Sequence, residues 1–158
     1  MIIVRSGWDT GQLAQAIASV DLQVTFDVVT LQIGVNNQFR DGTVSDFAEG
    51  LVGLVDSAIK FAGGDASRVI LVSIPDWGVT PFAEGAPRRQ IAEAIDEFND
   101  AVREQAAKTG TRFVDVTEIS RRVPREPELV ASDGLHPSAL MYAEWVDLII
   151  PEIIEVAG

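Results

Sequence analysis

Residues 69–74 read Val-Ile-Leu-Val-Ser-Ile, a short and nearly continuous apolar run that is rich in β-branched side chains. A strand with one face in water alternates apolar and polar residues, whereas a strand covered on both faces does not. Pro75 and Asp76 follow the run directly and end its apolar pattern. Strands covered on both faces are typical of parallel sheets flanked by helices. The stretch therefore predicts a buried strand of such a sheet.

The rest of the chain extends this pattern in both directions. Three further apolar runs predict strands over Ile2 to Val4, Phe26 to Ile33 and Phe113 to Val116. Between and after them, apolar residues recur at the spacing of one helix face. These stretches predict helices over Thr10 to Ser19, Ser45 to Phe61, Pro87 to Lys108 and Ala139 to Val156, with a kink at Pro151 in the last. The alternation predicts one three-layer α/β domain over residues 1–158, with a mostly parallel sheet.

The composition excludes several classes of function. The chain has 24 acidic and 12 basic residues and a formal net charge of −12, so its surface repels nucleic-acid phosphates and anionic membranes. We expect neither partner. The chain has no cysteine and one histidine, which excludes disulfides, thiolate catalysis and a histidine-based zinc cage within one chain. We therefore expect no metal and no cofactor.

The sequence also predicts a cytoplasmic protein. No apolar run approaches the ~18 residues of a membrane span. The run at Met1 to Val4 is too short for the core of a signal peptide. This expectation holds if Met1 is the natural start of the protein.

Polar residues follow the predicted strands at the places where a parallel sheet binds ligands. Ser6 and Gly7 come after the first run, and Gly34 and Asn36 come after the second. Ligands of open α/β sheets bind at the carboxyl ends of the strands, so these residues are expected near one edge. A glycine N–H and an asparagine amide can together stabilise an oxyanion.

The only histidine, His136, lies three residues after Asp133 and just before the last predicted helix. Histidine is the side chain whose ordinary pKa lies nearest neutrality, and a neighbouring carboxylate can fix its tautomer and stabilise its charged form. An Asp-x-x-His turn can therefore supply the base of a nucleophilic site.

Together these segments resemble the SGNH hydrolases, the GDSL-type esterases and lipases. Residues 6–8 (Ser-Gly-Trp) resemble the glycine block of that family, residues 34–37 (Gly-Val-Asn-Asn) its asparagine block, and residues 133–136 (Asp-Gly-Leu-His) its final block. The resemblance runs from about Val4 to the C-terminus. It implies a flavodoxin-like fold, with Asp133 and His136 catalytic and with Gly7 and Asn36 forming the oxyanion hole. Asn37 stands where the family usually has aspartate, which alters loop support rather than the oxyanion donor.

One block of the family is absent. Its Gly-Asp-Ser nucleophile normally precedes the glycine block by several tens of residues, whereas only residues 1–6 precede Gly7 here. We therefore expect a chain that is N-terminally truncated relative to the family and inactive in this form. Ser6 is the nearest substitute nucleophile, but it lacks the Asp-Ser context. Ser73 is expected inside a buried strand and Ser138 at a helix cap, so neither replaces it.

The absent block also affects the predicted sheet. The strand order 2-1-3-4-5 implied by the family puts the missing strand between the Ile2 run and the Phe26 run. Two strands would then face each other across ~10 Å, about twice the normal spacing. An inward shift of Ile2 to Val4, a strand from a neighbouring chain, or a separate N-terminal piece would fill the slot. The second of these predicts self-association.

Two functions remain open from the sequence. The first is a serine ester hydrolase that forms an acyl-serine intermediate on a small-molecule ester, with Phe39, Trp77 and Phe82 lining its substrate pocket. The alternative is a non-catalytic binding or assembly module on the same scaffold. An unrelated flavodoxin-like domain explains none of the three blocks, and the chain has no glycine-rich phosphate loop after a strand.

Overall fold

A computed structural model describes residues 1–20 and 24–157 of the chain. The strands of the described residues form one parallel sheet in the order β1 (Val29–Leu31), β2 (Val69–Val72) and β3 (Arg112–Val114). Thr30 pairs with Ile70, and Leu71 pairs with Phe113. Every residue of β2 is buried, as its unbroken apolar sequence predicts. The fold is therefore α/β with a parallel sheet, as expected.

Helices connect the strands and flank the sheet. They are α1 (Thr10–Ala18), α2 (Val35–Phe39), α3 (Val44–Phe61), α4 (Arg88–Thr109), α5 (Thr117–Ser120) and α6 (Ala139–Ala157). Polar side chains cap the first turns of two of them: Asp9 and Gln12 form a capping box at α1, and Thr43 accepts the Asp46 N–H at α3. The helix α6 continues through Pro151 to its end.

Two hydrophobic clusters cover the two faces of the sheet. One packs α1, α3 and α4 on Val69 and Leu71, and in it the rings of Phe47 and Phe98 stack with centroids 4.7 Å apart. The other packs α6 on Ile70 and Val72 through residues that include Met141, Leu129 and Trp145. Because β2 alternates its side chains between the two clusters, it forms the centre of the three-layer sandwich.

A buried asparagine fixes the carboxyl end of β2. Asn99 on α4 accepts the Ile74 N–H at 2.8 Å, and its Nδ2 donates to the Ile74 carbonyl oxygen at 3.1 Å and to Thr117 Oγ1 at 2.9 Å. Ser73 Oγ donates to Asp115 Oδ1 at 2.9 Å. The bonds of Asn99 satisfy the backbone N–H and carbonyl of Ile74, just past the end of the strand, where the ladder to β1 has ended. They hold the edge from which the functional loops leave.

The predicted strand at Ile2 to Val4 is wrong. These residues form neither strand nor helix, and Ile2 is 83% exposed. A short apolar run becomes a strand only when a neighbouring strand accepts its hydrogen bonds, and no strand among residues 1–20 and 24–157 pairs with it. An inward shift of this run, one of the three ways considered for filling the slot, therefore does not occur. The other predicted strands are present but shorter: β1 occupies only the centre of Phe26 to Ile33.

Two surfaces of the described fold remain uncovered. Within the described residues β1 pairs with β2 alone, so its other edge has no strand beside it. Along α6, exposed apolar side chains recur every fourth residue, and we call this row the α6 stripe: Tyr142, Val146, Ile150 and Ile154. Nothing in the described part of the chain is long and apolar enough, as a helix, to span a bilayer.

Candidate active site

The Asp133–His136 turn brings a carboxylate and an imidazole into contact. His136 Nδ1 lies 2.7 Å from Asp133 Oδ2, while Asp133 Oδ1 accepts the backbone N–H groups of Leu135 and His136, both at 2.9 Å. These bonds to Leu135 and His136, with a smaller contribution from the imidazole, lower the pKa of the Asp133 carboxyl to about 2. Asp133 is therefore a carboxylate at neutral pH. Its contact with Nδ1 fixes the orientation of the imidazole ring.

Backbone hydrogen bonds hold together the loop that carries the Asp133–His136 pair. Val130 and Pro137 form an antiparallel bridge, and the Ala131 N–H donates to the His136 carbonyl oxygen at 2.8 Å. Beyond the turn, Ser138 Oγ accepts the Met141 N–H at 3.3 Å and so caps α6, as predicted from the sequence. The histidine therefore sits on a braced turn, with its side chain 58% exposed.

The predicted oxyanion donors lie on two segments that contact each other. Gly7 has a φ of +84°, a conformation that L side chains rarely adopt. Asn36 Nδ2 donates to the Trp8 carbonyl oxygen at 3.0 Å. An amide nitrogen carries two hydrogens, so this bond leaves one for a ligand. Within the described residues the Gly7 N–H donates no hydrogen bond. Both donors are therefore available next to the Gly7–Trp8 turn.

The asparagine block is helical, which the sequence did not indicate. Residues 35–39 form α2, which starts after Gly34 at a φ of +128°. Asn37 Oδ1 accepts the Thr10 N–H at 3.1 Å, and its Nδ2 donates to Thr10 Oγ1 at 2.9 Å. Asn37 thus ties α2 to the start of α1.

The three predicted pocket aromatics form one cluster. Phe39 and Trp77 meet edge to face with centroids 5.1 Å apart, and Phe82 lies 6.1 Å from Phe39 and 6.3 Å from Trp77. The Phe82 N–H donates to the Gly134 carbonyl oxygen at 3.0 Å, inside the Asp133–His136 turn. The cluster therefore adjoins both α2 and the histidine turn.

Two arginines of this region were missed by the sequence reasoning. Arg40 donates from Nη2 to the Gly7 carbonyl oxygen at 2.6 Å and from Nη1 to Asp9 Oδ2 at 2.8 Å. Arg121 donates from Nε to Asp76 Oδ2 at 3.1 Å, and the buried Asp76 also accepts the Gly78 N–H. Arg40 lies four positions after Asn36, about one helical turn, but the sequence carries no signal of the short helix that brings the two side chains together.

The serines of the chain do not complete a triad within the described residues. Ser6 is exposed on the turn before Gly7, not at the end of a strand. Ser73 is fully buried and donates to Asp115, but it lies just past the end of β2 and not inside the strand as expected. No hydrogen bond among residues 1–20 and 24–157 joins a serine hydroxyl to His136.

The family of the chain follows from its sequence as a whole. A model of the GDSL-like lipase/acylhydrolase family matches residues 3–144. The chain belongs to this family. The match includes the Gly7 turn, the asparagine block and the Asp133–His136 turn. A search of curated protein sequences found no significant match.

Several solved structures share the fold. The acetylxylan esterase Axe2 of Geobacillus stearothermophilus superposes with a TM-score of 0.70 at 22% identity, over 94% of this chain and 68% of that chain. TesA gives 0.69 at 16% identity, over 96% and 75% of the two chains. A putative GDSL-like lipase from Parabacteroides merdae gives 0.63 at 23%, over 90% and 69%. Catalytic mutants of Axe2 change a serine near its start, an aspartate, and a histidine three positions after that aspartate.

Proposed function

We propose that this chain carries the base and the oxyanion hole of a serine ester hydrolase. The observation that carries the proposal is the Asp133–His136 pair, in which the 2.7 Å contact leaves Nε2 as the proton-accepting nitrogen. Asp133 remains charged at neutral pH, so it favours the imidazolium that forms when His136 takes a proton. The spacing of the pair is that of the catalytic aspartate and histidine of Axe2.

The reaction proceeds in two halves. His136 removes the proton of a serine hydroxyl, whose oxygen attacks the ester carbonyl to form a tetrahedral intermediate. The N–H of Gly7 and the free hydrogen of Asn36 Nδ2 bind its oxyanion, and each such donor contributes roughly 10²–10³ in kcat. His136 then protonates the leaving alcohol. Water, activated by the same imidazole, hydrolyses the acyl-serine and regenerates the hydroxyl.

The serine itself is proposed to come from outside residues 1–158. Three observations support this: no described serine bonds to His136, Ser6 lies on an exposed turn rather than at a strand end, and the mutated serine of Axe2 is near the start of that chain. A strand that bears the serine and pairs with the free edge of β1 would supply it at the carboxyl edge of the sheet. The chain alone is then inactive.

The substrate is proposed to be a small-molecule ester whose acyl or alcohol group contacts the aromatic cluster. Phe39 and Phe82 are 47% and 53% exposed, so much of their ring surface is open to a ligand. The bond from Phe82 N–H to Gly134 places this surface beside the histidine turn. No cofactor or metal takes part in the proposed reaction.

A second candidate function is a non-catalytic binding or assembly module. The uncovered α6 stripe favours it, because contiguous exposed apolar side chains mark interaction surfaces. In this case the chain associates with itself or with another protein through α6 and the edge of β1. The histidine turn then has no chemical role.

Ester hydrolysis by two forms of the protein separates these functions. One form is the chain of residues 1–158, which we call the printed chain. The other, the extended form, is the longer protein translated when the in-frame coding DNA upstream of Met1 is included. With p-nitrophenyl acetate, the extended form is expected to turn over and the printed chain is not. In the extended form His136→Ala is expected to lower kcat by several orders of magnitude, while Ser132→Ala, an exposed neighbour on the same turn, leaves it unchanged.

Each result has a distinct meaning. Turnover that is lost in His136→Ala supports the hydrolase. Turnover that survives His136→Ala contradicts the proposed base. Turnover by the printed chain contradicts an external serine. An inactive extended form, folded by circular dichroism, favours the non-catalytic module.

A further inference from the structure

The turn that carries Gly7 has little support of its own. Residues 1–9 lie in no helix or strand, and the one backbone bond across the turn, from Trp8 N–H to the Arg5 carbonyl oxygen, is 3.4 Å long. Gly7 has a positive φ, and glycine moves between backbone conformations more freely than any other residue. An oxyanion donor in such a turn needs a contact from elsewhere to keep its direction.

That contact comes from Asn36 on α2 and from Arg40, the residue that directly follows α2. Asn36 Nδ2 binds the Trp8 carbonyl oxygen at 3.0 Å, and Arg40 Nη2 binds the Gly7 carbonyl oxygen at 2.6 Å. The two side chains lie one helical turn apart and hold successive carbonyls of the same turn. A bound carbonyl fixes the plane of its own peptide group, because the peptide bond does not rotate freely. Here the fixed groups are the Gly7–Trp8 and Trp8–Asp9 peptides, which directly follow the Ser6–Gly7 peptide that carries the Gly7 N–H.

Arg40 also anchors the far side of the turn. Its Nη1 donates to Asp9 Oδ2 at 2.8 Å, and Asp9 caps α1 through the capping box with Gln12. A guanidinium presents several donors in a rigid fork, so one side chain can hold a carbonyl and a carboxylate together. Lysine has a single ammonium and cannot reproduce that fork.

We propose that Arg40 is a positioning residue that holds the turn carrying the Gly7 N–H in place next to the Asn36 amide. This proposal rests on the proposed function, in which those two groups form the oxyanion hole. Arg40 does not touch the substrate in this role. It acts by holding the Gly7–Trp8 peptide, which directly follows the Gly7 N–H, beside Asn36, so that the turn keeps its place relative to α2.

A merely structural salt bridge would behave differently. Arg40 and Asp9 are 48% and 30% exposed, and pairs this exposed contribute little to stability. If the ion pair alone mattered, Asp9→Asn would loosen the turn as much as Arg40→Met. If the carbonyl contact matters, Asp9→Asn leaves the turn rigid, because asparagine still caps α1 and still accepts from Arg40.

The first arm of the test uses the printed chain without any ligand. Backbone ¹⁵N relaxation reports the order parameters of the Gly7 and Trp8 amides, which are about 0.85 in rigid backbone and below 0.6 in flexible backbone. We expect rigid values in the unmodified chain and in Asp9→Asn. We expect flexible values in Arg40→Met and intermediate values in Arg40→Lys. Arg89→Met, which breaks an exposed ion pair with Glu93 on α4, is the matched control.

The second arm titrates the same variants with acetate, a carboxylate product of the proposed reaction. We expect the Gly7 amide and the Asn36 side-chain amide signals to move together in the unmodified chain. In Arg40→Met, the Gly7 signal is expected to move at least threefold less, while the melting temperature stays close to that of Arg89→Met.

The two arms fail separately. The positioning role is overturned if the Gly7 and Trp8 amides keep rigid order parameters in Arg40→Met, or if these order parameters fall equally in Asp9→Asn. This holds whatever the acetate titration shows. If acetate moves neither donor in the unmodified chain while Arg40→Met still loosens the turn, the oxyanion hole of the proposed function is contradicted and the positioning role of Arg40 is supported. If Arg40→Met does not fold, Arg40→Lys decides the first arm, because an unchanged Gly7 order parameter there overturns the proposal.

Discussion

Replacing Asn99 by leucine is expected to destabilise the fold strongly. Asn99 is 3% exposed and makes three hydrogen bonds, two to the backbone of Ile74 and one to Thr117 Oγ1. Leucine has a similar size but no polar atoms. The Ile74 carbonyl oxygen keeps a bond from Thr117 Oγ1 at 3.1 Å, whereas the Ile74 N–H loses its only partner among the described residues.

The magnitude follows from those groups. A buried N–H without a partner costs about 1–3 kcal/mol, and each ordinary hydrogen bond contributes about 0.5–1.5 kcal/mol net. Leucine recovers part of this by burying apolar surface. We therefore expect Asn99→Leu to lower the free energy of unfolding by about 2–4 kcal/mol, a large share of the 5–15 kcal/mol typical of a domain.

Urea unfolding followed by circular dichroism measures this loss. The control is Gln90→Leu, an exposed position on the same helix that is expected to change the free energy of unfolding by less than about 0.5 kcal/mol. The slope of the transition should stay the same in both variants, because the surface exposed on unfolding does not change. A loss below about 1 kcal/mol in Asn99→Leu would refute the role assigned to this asparagine.

Three further predictions concern the site and the uncovered surfaces. Because its folded pKa is about 2, below the ordinary value, Asp133 adds stability that is present above about pH 4 and lost as the pH falls through 2; a carboxyl ¹³C titration near 3.8 would contradict this. The chain is expected to self-associate as its concentration rises, as measured by sedimentation velocity. Val146→Glu should reduce this association, whereas Val52→Glu on α3 should not. Equal effects of the two variants would exclude the α6 stripe as the association surface. In the extended form, Phe82→Ala should raise KM for p-nitrophenyl esters about tenfold with little change in kcat, and an unchanged KM would remove it from the pocket.

The long elements of the fold could be predicted from the sequence. The predicted helix over Ser45 to Phe61 is Val44–Phe61 in the structure, and that over Pro87 to Lys108 is Arg88–Thr109. Several turns of one-sided apolar residues leave few alternative structures. The strand β2 could also be predicted, because a strand buried on both faces has a continuous apolar sequence instead of alternating apolar and polar residues.

The shorter elements could not be predicted in this way. Ile2 to Val4 has the composition of a strand, but a strand also needs a partner, and composition carries no information about partners. The helix α2 is too short to show periodicity, and Gly34 and Asn36 are typical turn residues. The local sequence pattern therefore predicted a strand at Ile2 to Val4 that is absent, and it did not predict α2.

In the candidate site, too, local contacts could be predicted from the sequence and long-range contacts could not. Asp133 and His136 are three residues apart, so a turn motif in the sequence was enough to place them together. Arg40 reaches Gly7 across 33 positions and Arg121 reaches Asp76 across 45. Contacts at that separation depend on how the layers pack. The catalytic roles of Asp133, His136 and the oxyanion donors stay predictions.

Labelling with a fluorophosphonate, followed by mass spectrometry of the adduct, tests the central claim most directly. The probe bonds covalently to an activated serine, so the labelled residue identifies the nucleophile. The account predicts an adduct in the extended form on a serine outside residues 1–158, formed at least 10³-fold more slowly in His136→Ala, and no adduct in the printed chain. An adduct on Ser6, or labelling that is unaffected by His136→Ala, would contradict it.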